Sequence, residues 1–510
     1  MKRDREEIVL ELLRDRGKLL SKVPFTRGGS VRTENPSDGY EAYMGQRVNA
    51  TLPRVRKVVV SQDTFARELD PNSHKVIYDT NLPSICVKLE DGGYKDLEFK
   101  RVGLGFQESI LKKKVLALCG NPRVITFNSQ DPTDRDVKNF AELKLAWEER
   151  NMDGLGTRAA YGQMGYGDVG LLMYMNDRNE IRGRVLSYED GYVIVSHNDD
   201  CGDRVLECVY YEDCDGEEHA DCYDEKNLYR LDSTSGEWSV KEVIPHGFSE
   251  IPLITKRGNV AWNNVQSLIE VIEILWNIFI VIQKRHGWGI LYIRGNIKEN
   301  ARKLAGSIIL QDTTADGTGT AEFKTPPSPE NMIATLDALL EQLQRDASVT
   351  FILPKDISAG GDISGIAMQM TRSLDIEWAT SEANEWQNFV SKQMRLFKEG
   401  LARELVANGK NPTAITDFER MRVSCKYKMW KPFDEASFNQ MLTTMKQGGI
   451  ISQQTAVEKN TISTPDEMLR VLNEAKRAEE EEIAQAKDEA AEDAAVQSDE
   501  EVQVVDIEKV

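Results

Sequence analysis

Histidine is scarce in this sequence. Five occur among 510 residues, at positions 74, 197, 219, 246 and 286, so spacing alone assembles no general-base dyad or triad. Cysteine is nearly as sparse. The seven thiols (Cys86, Cys119, Cys201, Cys208, Cys214, Cys222 and Cys425) are odd in number and irregular in spacing, which argues against a disulfide scaffold and predicts a reducing, intracellular setting. The opening MKRDREEIVLELL lacks the apolar stretch of a secretory signal and points the same way. No G-x-x-x-x-G-K-[ST] phosphate loop occurs: Gly17-Lys18 and Gly409-Lys410 lack both the upstream glycine and the hydroxyl, so an ATPase signature is missing. GLGFQE at 103–108 lacks the third glycine of a dinucleotide fingerprint, and Gly361, Ser364 and Gly365 miss a nucleophile elbow by one residue. Long apolar runs are lacking too. The most apolar, LIEVIEILWNIFIVI at 268–282, is broken by Glu270 and Glu273 and falls short of the ~20 residues of a bilayer span, so it is expected to be a buried helix. Neither a catalytic residue nor a cofactor is expected, and no membrane.

Positive charge is in deficit. Against 84 acids stand 64 Lys and Arg, a net charge of -20, the wrong balance for a protein that grips nucleic acid by releasing phosphate counterions. Half of the excess is local: EEEEIAQAKDEAAEDAAVQSDEE at 479–501 has eleven acids and one lysine. What is present is a 40% hydrophobic chain long enough for roughly three modules of about 150 residues.

The hydrophobic period divides that chain. Ile8, Leu12, Leu13, Leu19 and Leu20 have helix spacing, and a polar Gly- and Pro-bearing tether follows from about 23 to 55. AELKLAWEER (141–150) predicts a helix that stops before Gly154 and Gly156. Between 165 and 255 the period changes to two, in GLLMYM, GRVLSY, YVIVSH, RVLECVYY and NLYRLD, which predicts a strand meander. A helix over about 262–286 shows a narrow polar stripe (Asn263, Gln266, Glu270, Glu273 and Asn277) and is apolar elsewhere, so it must be covered on several sides. A small α/β piece spans about 287–326. Next comes a helix at 329–348 with Ser328 as N-cap and Pro329 at its first position. The loop FILPKDISAGGD launches a long helix ending at Gly409 ahead of Pro412, and 434–476 reads as three short helices.

Two clusters suggest metals. Cys201, Cys208, Cys214, His219 and Cys222 are ligand types zinc prefers, but their gaps are too wide for a knuckle, and cysteines within a meander is the plainer reading. Asp131, Asp134 and Asp136 could face a cation, yet DPTDRD before a helix more often forms its N-terminal turn.

The order of these parts, with FSEIPLITKRGN before the first buried helix, GGDISGIAMQMT opening the long one and GGIISQQTAVEK near the end, resembles the portal proteins of tailed double-stranded DNA bacteriophages over roughly 135–475. The resemblance implies an α+β, portal-like subunit: a β-rich and helical wing, a two-helix stem, a small α/β clip, a long kinked wing helix and a helical crown. Mapped onto this chain it implies an N-terminal helix and tether at 1–55, the wing at 56–260, the first stem helix at 261–286 and the clip at 287–328. The second stem helix follows at 329–349, the tunnel loop at 350–363, the long wing helix and a strand at 364–433, the crown at 434–477 and an acidic tail at 478–510. It further implies a ring, generally of twelve subunits, at one capsid vertex of the virion, assembled in the host cytoplasm. Double-stranded DNA passes the channel without sequence readout, and the large terminase, the major capsid and scaffold proteins and neck or adaptor proteins are the partners. Pro354, Lys355, Asp356, Ser358, Gly360 and Gly361 become the channel loop, where the two glycines allow reorganisation. Leu275, Trp276, Ile278, Phe279, Leu336 and Leu340 become stem packing between subunits, and Lys284 and Arg285 channel cations. The competing readings are a metal-dependent hydrolase built on 131–222 and a helical scaffold without a channel.

Overall fold

The computed structural model describes residues 61–79, 100–128, 133–198, 203–234, 237–286, 330–351, 372–428 and 435–460, with the short strands at 31–33, 57–59, 85–88, 94–97, 290–294, 310–312 and 320–324. The expected N-terminal helix, the acidic tail and most of the glycine loop lie outside the described residues. The chain falls into two compact units, 1–353 with 372–430, and 354–371 with 431–510.

The first unit opens with β1 (Val31–Thr33) paired to β2 (Lys57–Val59), followed by α1 (Gln62–Leu69), α2 (Lys75–Tyr78) and the hairpin β3 (Ile85–Lys88) with β4 (Tyr94–Leu97). Helix α3 (Phe106–Cys119) leads to β5 (Val124–Phe127), then α4 (Asp134–Glu149) and α5 (Met152–Tyr166). DPTDRD does form a helix start: Thr133 caps α4 in a capping box with Asp136. The helix predicted over 141–150 ends where expected. The chain then turns at Arg150 and at Asn151 (φ 48°), whose side chain caps Gly154, and re-enters a helix that the sequence spacing does not show.

Two antiparallel sheets follow. In the first, β6 (Asp168–Met175) lies between β7 (Ile181–Leu186) and β13 (Leu253–Arg257). The second is the predicted meander, in the order β12-β11-β10-β9-β8, from β8 (Val193–Asn198), β9 (Arg204–Glu212), β10 (Glu218–Tyr223), β11 (Asn227–Thr234) and β12 (Glu237–Pro245). Alternation reveals β6 to β9 and β11, whereas EHADCY and EWSVKEVIP carry charges at both phases and do not announce themselves.

Helix α6 (Gln266–His286) precedes β14 (Ile290–Arg294), which pairs in parallel with β15 (Leu310–Asp312) and antiparallel with β16 (Thr320–Lys324). All three strands fall within the α/β piece expected at 287–326. By length and composition α6 is apolar enough to cross a membrane, but its polar stripe is bonded to its own chain, as described below. Helix α7 (Glu330–Ala347) packs against α6, and α8 (Ser373–Ala407) runs 35 residues; residues 364–371 of the predicted long helix lie outside the described residues. Helix α8 stops as predicted: Gly409 adopts φ 68°, and the Lys410 amide returns to the Leu405 carbonyl. Helix α9 (Ala414–Arg420) and β17 (Val423–Lys426), paired with β5, close the unit. Its main core joins Trp147 of α4, Trp262 of the turn before α6, and Trp386 and Phe397 of α8. The second unit contributes α10 (Glu435–Gln447) and α11 (Gln453–Lys459), two of the three helices predicted in that region.

A charge buried at a strand start makes the fold sensitive to pH. Asp168 accepts hydrogen bonds from Gln62 and Arg257, yet burial dominates and pushes its carboxyl up to about 6 from 3.8. Because the folded value is the higher, the contribution is present below pH 4 and lost as pH rises through about 6. The stability of Asp168→Asn relative to the native chain is therefore expected to improve by about 2 kcal/mol between pH 4 and pH 7. Unfolding curves measured across that range check it.

Candidate functional site at the feet of the glycine loop

Among the expected loop residues, Pro354, Lys355, Asp356, Ser358, Gly360 and Gly361 all lie outside the described residues, but the two feet from which the loop springs are described. At the first foot α7 ends on Ser348, held at φ 52°, and Val349 donates back to the Gln344 carbonyl (3.0 Å). Val349 is buried, which fixes the direction in which the chain leaves. Both peptide groups of Thr350 are then taken by charged side chains. Its amide donates to Asp375 Oδ1 (2.8 Å) in the first turn of α8, and its carbonyl accepts from Lys113 Nζ (2.8 Å) on α3. The Phe351 amide donates to Gln344 Oε1 (2.7 Å), and the Lys113 ammonium lies 5.1 Å from the Phe351 ring centre.

The second foot is Arg372, at the N-cap of α8, with Asp375 three residues on. Asp375 thus ties the two feet together. Burial raises its carboxyl pKa, while the Thr350 amide, Arg372 and Lys113 pull the other way. Lys113 is lowered by burial first and by the charge of Arg372 second. The adjacent Lys114 donates to the Ala261 carbonyl (2.8 Å), lies 4.9 Å over the Trp378 ring, and is depressed by burial to about 8. In the sequence, Lys112, Lys113 and Lys114 resemble a solvated run. No feature of it shows that two of the three turn inward.

Helix α6 shows two faces. Its polar stripe clasps residues far upstream: Gln266 accepts from Gln107 (3.2 Å), Glu270 meets Lys75 (3.1 Å) and Glu273 meets His74 Nδ1 (2.6 Å). Glu273 also accepts the Leu104 amide (2.7 Å), and Asn277 takes both the amide (3.0 Å) and the carbonyl (2.8 Å) of Val102, as a strand neighbour would. Burial alone would lower the His74 pKa, but the hydrogen bond and charge of Glu273 outweigh it and raise the value. The remaining, apolar side is only partly covered. Val271, Trp276 and Ile282 are 46%, 37% and 38% exposed, Ile278 and Phe279 are half-buried, and Leu275 is half-buried against the subunit's own core, with Trp276 tilted against Phe279 (5.9 Å). On α7, Leu336 is buried and Leu340 half-buried against the subunit's own core, while Asp337, Glu341 and Asp346 face outward. Lys284 and Arg285 fall in the last turn of α6, and their side chains lie outside the described residues.

The cysteine set does not converge. Cys208 and Cys222 are direct cross-strand neighbours within the apolar cluster of the meander, Cys214 is exposed and Cys201 lies outside the described residues. His219 is held by Asp232 at Nδ1 (2.7 Å) and Asp213 at Nε2 (3.0 Å), which raise its pKa, Asp213 most. Among the described residues no three His, Cys, Asp or Glu side chains are grouped to hold a metal.

The sequence pattern of the family described as phage portal protein, SPP1 Gp6-like, matches residues 72–494. No curated protein matches the chain. Among solved structures, a chain from the neck of an empty GTA particle, computed with C6 symmetry, is similar at 12% identity with a TM-score of 0.36; the match covers 68% of this chain and 87% of that one.

Proposed function

This chain belongs to the SPP1 Gp6-like phage portal protein family, and from that premise we propose that it assembles into a ring at one capsid vertex whose axial channel carries the viral genome during packaging and ejection. The observation that supports the ring is the partly covered apolar side of α6. Val271, Leu275, Trp276, Ile278, Phe279 and Ile282 follow helical spacing, and a single copy leaves them partly in water. A closed ring of identical copies covers such a face on every subunit at once.

In this reading α6 and α7 form the stem, 287–328 forms a clip that docks the large terminase, and 350–363 reaches the channel as the tunnel loop. The outward Asp337, Glu341 and Asp346 of α7 suit a wall that must not grip its cargo, since like charge repels phosphate at short range. Lys284, Arg285 and Lys355 supply weak, sequence-independent backbone contacts. Twelve copies, contact with the major capsid and scaffold proteins, neck or adaptor proteins at the exit and assembly in the host cytoplasm complete the proposal. The role is structural, not enzymatic. Negative-stain images and native mass of the purified chain test it: rings with an axial opening are expected, and a stable single copy at micromolar concentration overturns it.

A further inference from the structure

The first foot of the loop is held in an uncommon way. Thr350 is fixed through its own N–H and C=O, by two side chains that come from different helices, Asp375 on α8 and Lys113 on α3. Lys113 reaches a main-chain carbonyl, so it restrains the path of the chain and not merely a side chain. Helix α3 is in turn tied to α6. Val102 and Leu104, in the segment just before it, bond Asn277 and Glu273, its Gln107 bonds Gln266, and Lys114 bonds the Ala261 carbonyl just before α6 begins. One short helix therefore touches the loop foot at its middle and the polar stripe of α6 near its start.

We propose that Lys113 is a positioning residue for the glycine loop, through which α3 acts as a strut that makes the loop foot and α6 move as one body. The inference rests on the reading that 350–363 lines the channel. A conduit whose loops follow moving DNA needs the feet of those loops fixed to the stem, because a foot that yields lets the loop move without transmitting force. Lys113 suits that task better than apolar packing would. A charge-assisted hydrogen bond is directional, and its loss releases the backbone without opening a cavity.

The test uses the full chain with Lys113→Met, which keeps an unbranched side chain of similar length but removes the donor, Lys113→Arg, which restores a donor, and Gly361→Pro, which stiffens the loop itself. Ring formation and melting temperature of Lys113→Met should match the native chain. Amide exchange at Thr350 and Phe351 should quicken by about tenfold, and the yield of DNA-filled particles should fall by a similar factor, the equivalent of one such bond. Lys113→Arg should recover most of both. If Lys113→Met fills particles normally while Gly361→Pro does not, the loop reading stands and the role of Lys113 is refuted. Normal filling in both variants removes the loop reading and this inference with it. Loss of rings in Lys113→Met makes the lysine a folding element and also refutes the proposal.

Discussion

Replacing Val271 and Trp276 together by glutamate is expected to yield a folded subunit that no longer forms a ring. Both side chains point away from the subunit's own core, at 46% and 37% exposure, so folding does not depend on them. The buried residues of the same helix, Ile269, Ile272 and Glu273, are left unchanged. Covering an aliphatic or aromatic side chain contributes about 1.5–3 kcal/mol, and a closed ring repeats the gain at every subunit boundary. A glutamate enclosed there without a partner costs several kcal/mol more. The two effects together weaken each contact by about a thousandfold or more, at roughly 1.4 kcal/mol per factor of ten. Sedimentation or native mass should show single copies at concentrations where the native chain is assembled. Far-ultraviolet dichroism should be unchanged, and a ring that persists in the double variant contradicts the assignment of this face to neighbouring copies.

That face could be read in the sequence, and so could the need for a cover, because an apolar run interrupted only at Gln266, Glu270, Glu273 and Asn277 has a single periodic interpretation. What those four polar residues bind could not be read. Their partners Lys75, His74, Leu104, Val102 and Gln107 lie more than 150 positions upstream, and two of these offer only backbone groups, which every residue type carries. Sequence spacing also put the helix end at Gly409 and the helix start at DPTDRD within reach, since each depends on contacts a few residues away. The feet of the loop were hidden for the opposite reason. Lys113 and Asp375 meet at Thr350 only after α3, α7 and α8 are packed, and a lysine next to two others normally means solvent.

Helix α5 is the plainest case of tertiary packing overriding local preference, and it yields the largest expected loss of stability. Its sequence MDGLGTRAAYGQMGY contains four glycines, each of which disfavours a helix by about 1 kcal/mol relative to alanine, so Gly→Ala in such a helix would ordinarily stabilise. Gly156→Ala should do the reverse. A Cβ at this position would lie 1.5 Å from Arg123 Nη2 and 2.5 Å from its Cζ. The guanidinium cannot step aside: Nη1 donates to Gln393 Oε1 (2.6 Å), the Tyr427 ring centre lies 5.0 Å away, and Nε is 3.9 Å from Asp153, itself bonded to Trp147 (3.1 Å). Displacing it strands a buried charge, which costs about 3–5 kcal/mol, and the helix gain of about 1 kcal/mol offsets little of that. Gly165→Ala in the same helix is the control, because its nearest neighbour, Leu111 Cδ2 at 3.3 Å, is the end of a flexible side chain. Denaturant unfolding at one fixed protein concentration should place Gly156→Ala about 3 kcal/mol below the native chain and Gly165→Ala within about 1 kcal/mol of it. Adding Arg123→Met to Gly156→Ala should recover part of the loss, since the methionine leaves room for the new methyl and carries no charge to strand. Equal stability of the two glycine variants would mean that the guanidinium yields freely and that glycine at 156 is not required by its approach.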